Sequence, residues 1–141
     1  MGASAWNYCV PYEPDLHRAF ESLRRKVFKE RGYLWAGAYR GRRWPKSERA
    51  LWRDESTQEE GTHSILDISR IIGPDAEPAS HTLKPVTEEE ALRLFSTRRP
   101  TRSDLPETGT LPCERWHGRA VVLFDAEGAP NEIYFWGVSG D

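Results

Sequence analysis

The densest run of side chains able to move protons is Glu59-Glu60-Gly61-Thr62-His63-Ser64-Ile65-Leu66-Asp67. Histidine is the one side chain that titrates near neutral pH without help, so His63 is the natural general base. Asp67 is a candidate partner for it, and Arg40 or Arg43 could stabilise a developing negative charge. The order of residues argues against a self-contained catalytic unit. Residues 63–72 include Ile65, Leu66, Ile68, Ile71 and Ile72, and this β-branched content predicts a buried strand. On a strand Ser64 faces away from His63, and Asp67 lies roughly 13 Å further along the same face. A triad would need partners from elsewhere. The reading that follows is structural, with the His63 ring hydrogen-bonded to backbone at the entry of a strand. If the chain is an enzyme, its site is centred on His63, Asp67 and Arg40.

A second constellation is basic and aromatic. Tyr33 to Trp52 interleaves Tyr33, Trp35, Tyr39, Trp44 and Trp52 with Arg40, Arg42, Arg43, Lys46 and Arg49. Guanidinium and aromatic planes hold phosphates and stack bases. The same residue types dominate protein–protein hot spots. They also suit a plain arrangement of tryptophan core and arginine rim. The binding candidates are Trp35, Tyr39, Arg40, Arg42, Arg43 and Trp44. Within this stretch Tyr39-Arg40-Gly41 resembles the first-strand motif of ADP-ribosyltransferases. That resemblance implies an NAD-contacting role for Arg40 and an acidic partner such as Glu132. The Q/E-x-E pair of that family is missing, because Asn131 precedes Glu132 and Tyr134 follows two later. Leu105-Pro106-Glu107-Thr108-Gly109 spells the sortase pentapeptide, but no apolar segment and basic tail follow it. It reads as a Pro- and Gly-bearing loop.

Other chemistries find no footing. The four histidines, His17, His63, His81 and His117, include no H-E-x-x-H spacing, and Cys9 and Cys113 belong to no C-x-x-C pair. No metal and no cofactor is expected, and the two thiols read as small buried side chains. The first residues lack a basic region followed by an apolar one, and no apolar run approaches the ~20 residues of a membrane span. The expectation is a cytoplasmic protein with no membrane partner.

The elements that must position these residues are read from periodicity. Trp6, Tyr8 and Val10 alternate on an opening strand over Trp6 to Tyr12. Leu16, Ala19, Phe20, Leu23, Val27 and Phe28 form an apolar stripe on a helix from about Asp15 to Arg31, with Gly32 as its left-handed cap. Tyr33 to Trp44 reads as strand and loop, Pro45 to Arg53 as a short helix, and Ser56 to Gly61 as connector. Thr87 and Glu90 have the spacing of a capping box at the start of another helix. Arg119 to Asp125 and Glu132 to Val138 form a closing hairpin whose apolar residues are consecutive, so it belongs near the sheet centre with both faces covered.

Charge is unevenly spread. Pro14 to Arg53 carries 12 Lys and Arg against 4 Asp and Glu, and Asp54 to Asp141 carries 8 against 17. Such a split marks either a basic binding face or two halves that neutralise each other. With 141 residues, the chain is expected to be one α+β domain spanning 1–141. Its expected architecture is a small antiparallel sheet that ends in a C-terminal hairpin and packs on two or three helices. The functional expectation is a non-catalytic binding protein of the accessory or immunity type, working through a protein partner. A His63-centred enzyme and a weak nucleic-acid or anion binder are the alternatives.

Overall fold

The computed structural model describes residues 4–109 and 111–140. The two consecutively apolar runs pair as an antiparallel hairpin of β4 (His117–Phe124) and β5 (Pro130–Val138). Its turn closes on Asp125, whose carboxylate accepts the N–H groups of Glu127 at 3.0 Å and Ala129 at 2.9 Å. Gly128 supplies the positive φ of 82° that the turn needs. β1 (Ala5–Pro11) joins the free edge of β5, also antiparallel. On the other side β3 (Thr82–Pro85) pairs with β4, and β2 (Arg70–Ile71) with β3, both parallel. The five-stranded order is β1-β5-β4-β3-β2, which places the hairpin in the interior of the sheet. The sheet is therefore mixed: its antiparallel portion is β1-β5-β4, and a parallel portion extends it. β3 carries only four residues and one strong apolar signal, Leu83, which is why its strand is not legible in the sequence.

Side-chain alternation divides the core. One face carries Trp6, Leu83, Ala120, Ile133 and Phe135 and is covered by α1 (Leu16–Lys29). The other carries Val121, Leu123, Tyr134 and Trp136 and is covered by α5 (Glu88–Phe95). The α+β architecture with its closing hairpin is thus as the sequence pattern predicts.

Helix ends show how local chemistry sets the boundaries. Asp15 caps α1 by accepting the N–H groups of His17 at 3.0 Å and Arg18 at 3.4 Å. At the other end the left-handed residue is Arg31, φ 57°, rather than Gly32. Gly32 lies one position further on and returns its N–H to the Val27 carbonyl at 2.9 Å, while Arg31 N–H bonds Phe28 at 3.2 Å. This is a Schellman closure shifted by one residue.

Three stretches depart from the sequence reading. Tyr33 to Trp44 holds no strand; it contains the single-turn α2 (Ala36–Tyr39). Ser56 to Gly61 is not connector, because α4 (Glu55–Glu60) forms there with Asp54 as its N-cap, just after α3 (Glu48–Trp52). The predicted strand over 63–72 shrinks to β2, preceded by a 3-10 turn at Ile65–Asp67. The reason is local competition for backbone groups. The Ser64 hydroxyl accepts Leu66 N–H at 3.1 Å, the Asp67 carboxylate accepts Thr62 N–H at 2.6 Å, and His63 takes φ 54°. These bonds fold the segment into a buried loop in which Ile65, Leu66 and Ile68 all reach the core.

Candidate docking surface beside the buried loop

The basic-aromatic segment is built outward from Trp35. Its ring is only 4% exposed and its indole N–H donates to Asp54 Oδ2 at 3.1 Å. α2 wraps over that ring, and a Cβ at Gly37 would meet it at 2.3 Å, so only glycine lets the helix lie so close. Arg42 crosses the same ring, Cζ 5.3 Å from its centre, and its Nη1 reaches Asp54 Oδ2 at 2.9 Å. Trp44 packs 5.4 Å from Trp35 and 5.5 Å from Tyr33, and Tyr33 stacks on Phe28 at 5.8 Å. Arg31 caps the pile over Trp44. Burial alone would push the Asp54 carboxyl upward. Hydrogen bonds from Ser56 and Trp35, with Arg42 close by, outweigh it and hold the group below the usual carboxylate range.

On this rigid base two apolar side chains stand in solvent: Tyr39, 83% exposed, and Leu34, 50% exposed. They line a cavity of about 200 Å³ together with Trp35, Ala36, Thr57, Glu60 and His63. Arg40, Arg42 and Arg43 lie exposed on the loop that leaves α2. Of these, Arg42 is paired; Arg40 and Arg43, like Lys46, Arg49 and Arg53, make no ion pair with a described residue. The two charge-biased halves of the sequence meet in one ion pair among the described residues, Arg42 with Asp54. The others lie within a half: Arg24 with Glu48, Arg119 with Glu90, and Arg102 with Glu132.

The buried loop brings His63 to the wall of this cavity. His63 Nδ1 lies 2.6 Å from the Ser4 hydroxyl, a contact that no sequence spacing announces. Asp67 sits behind it, 1% exposed, with Oδ1 accepting both the N–H and the hydroxyl of Thr62, at 2.6 and 2.8 Å. Its Oδ2 has no hydrogen-bond partner. The nearby Ser139 hydroxyl donates instead to the Glu60 carbonyl at 3.1 Å. Burial raises the Asp67 carboxyl above its ordinary value, against the opposing pull of Thr62, of the nearby Ser139 hydroxyl and of His63. Once protonated, Oδ2 becomes a donor and Ser139 Oγ an acceptor for it. Gly61 is required here, with φ 81° and both Asp67 Oδ2 and Ser139 Oγ 2.9 Å from where a Cβ would stand.

The sequence candidates therefore divide. Tyr39, Arg40, Arg42 and Arg43 form one exposed surface, Trp35 supports it from below, and Trp44 is half-buried between. His63 joins the cavity wall, Asp67 is turned toward Thr62, and Arg40 is not among the lining residues. Arg40 follows a helical turn rather than lying on a strand, and the Glu132 carboxylate is held by Arg102 at 2.7 and 3.2 Å. Leu34 belongs to the same cavity although an exposed leucine carries no mark in the sequence. Neither thiol is activated: burial raises both, Cys113 to about 11. No family model, curated protein or solved structure matches the chain.

Proposed function

We propose that the chain is a non-catalytic binding protein that docks an acidic protein surface through Leu34 and Tyr39. The observation that carries this reading is the pair of exposed apolar side chains at a cavity mouth, mounted on a packed aromatic base. Aromatic anchors held rigid before association lose little entropy on binding. Arg40 and Arg43, uncompensated at the rim, favour a partner that presents carboxylates and speed its approach. No helix is long and apolar enough to cross a membrane. We place the protein in the cytoplasm, where its two unpaired thiols would stay reduced.

The test is capture on beads carrying the wild-type chain or a Leu34→Ser/Tyr39→Ala double variant. One acidic protein should be recovered by the wild type and lost tenfold or more by the variant at an unchanged melting temperature. A partner retained equally by both would sink the docking assignment. Recovery of nucleic acid with submicromolar, steeply salt-dependent affinity would move the basic segment to phosphate binding. The enzyme reading has the contact between His63 and Ser4 behind it, but the orientation of Asp67 gives that pair no carboxylate in the manner of a triad.

A further inference from the structure

A second cavity, of about 430 Å³, shares no lining residue with the cavity beside Leu34 and Tyr39. Arg24, Trp52, Gln58, Asp67, Ser80 and His81 are among its lining residues. Its aromatic part is Trp52 and His81, and Trp116, which is not among its lining residues, packs against the His81 ring. The His81 ring lies 5.7 Å from Trp52 and 4.7 Å from Trp116, and the two indoles are 6.5 Å apart. All three side chains are half-buried and belong to neither core cluster. Core packing therefore does not account for their assembly.

Two of the three are held in a costly backbone conformation. His81 has φ 67° and Trp116 φ 65°, left-handed values that bulky residues rarely adopt. The strain is maintained by a backbone bond from His81 N–H to the Trp116 carbonyl at 2.6 Å, and by another from Ser69 N–H to His81 at 2.8 Å. Gly140 lies flat against the Trp116 indole, where a Cβ would come within 1.8 Å of the ring, and so fixes it.

The polar groups are equally set. His81 Nδ1 is 2.8 Å from the Asp67 carbonyl, which can only accept, so Nδ1 carries the hydrogen. Nε2 has no protein partner among the described residues. Gln58 donates its amide to the Trp52 carbonyl at 2.8 Å, which leaves its oxygen as an acceptor. Arg24 is bound to Glu48, so the guanidinium brings donors to the cavity while its charge is balanced.

We propose that this cavity binds a nucleobase, as the free base or nucleoside. The aromatic wall asks for a flat ring that can stack. The fixed donors and acceptors ask for a ring edge that carries both. The balanced charge at Arg24 favours a neutral ligand over a phosphorylated one. The volume suits one small ligand.

The experiment titrates the wild-type chain with adenosine, guanosine, cytidine and uridine, by calorimetry and by the indole N–H signals in NMR. At least one nucleoside should bind saturably below about 1 mM, shifting the indole signal of Trp52, which lines the cavity, and leaving Trp35 in place. Trp52→Leu should weaken binding roughly tenfold through the lost stacking partner. His81→Asn, which tolerates the left-handed backbone, should do the same. No saturable binding by any of the four overturns the proposal. So do shifts centred on Trp35, or affinity untouched by both substitutions. An eight-nucleotide single strand that binds more than tenfold tighter than every nucleoside would assign the cavity to a polynucleotide and overturn the free-ligand reading. These readouts are separate from bead capture, so either proposal can fail alone.

Discussion

At Asp67 the sequence shows a carboxylate four residues from a histidine, and the structure shows why that spacing misleads. The alternation argument assumes a strand, but Ser64 and Asp67 hydrogen-bond their own neighbourhood and turn the chain first. Asp67 then becomes a buried acceptor for Thr62 with one oxygen unpartnered. Its folded carboxyl is raised above the unfolded value of about 3.9. A raised carboxyl binds its proton more tightly in the folded state, so stability is greatest below the unfolded value and falls as pH rises through the folded one. Asp67→Asn keeps the oxygen that Thr62 uses and places an amide donor where Oδ2 lacked one. At pH 7 it should be more stable than wild type by about 1 kcal/mol, the scale of one unmet buried group. Urea titrations should show that gap closing toward pH 3 to 4. A variant less stable than wild type at pH 7 would mean that the carboxylate is ionised and supported there.

Among the elements, α1 is legible in all but its closing residue, because its stripe repeats over several turns and outweighs any local competitor. α2 and α4 are not, since each is a turn or two and owes its existence to a neighbour: the Trp35 ring under α2, and the Asp54 cap before α4. The start of α5 was legible at Thr87, whose hydroxyl accepts Glu90 N–H at 3.2 Å. The reciprocal half of that capping box is absent. The Glu90 carboxylate faces the sheet and binds the Arg119 guanidinium through both oxygens, at 2.8 and 2.5 Å. This pair holds Glu90 below the usual carboxylate range, chiefly through the hydrogen bonds from Arg119. Thr87→Ala should therefore cost about 1 kcal/mol, the worth of one cap, with Thr87→Ser restoring most of it. Denaturant titration of the three proteins would check this. An equal loss in the serine variant would show that the methyl group, not the hydroxyl, carries the effect.

Over the whole molecule, the hairpin is shared by two cores, and this was legible because β4 and β5 are apolar at consecutive positions. The positions of β2 and β3 were not, because parallel pairing joins segments that sequence neighbourhood does not relate. Neither was the meeting of Trp52, His81 and Trp116, which depends on that pairing to bring His81 beside Trp116. One sheet with a core on each face unfolds as a unit if neither core is stable without the strands. Phe135 is 0% exposed on the α1 side, and Trp136 is 2% exposed on the α5 side. Phe124 sits half-buried at the rim under the Arg99 guanidinium, so it is the weaker probe. Phe135→Ala and Trp136→Ala should each cost about 3–5 kcal/mol. Each should lower the midpoint of one common transition seen equally by far-UV and near-UV circular dichroism. If Trp136→Ala instead splits the transition, with the α5 side lost first while the α1 side persists, the two cores are separate cooperative units. A cost under about 1 kcal/mol at Phe135 would contradict the central place of the hairpin, because no residue at 0% exposure in a two-faced sheet loses its ring so cheaply.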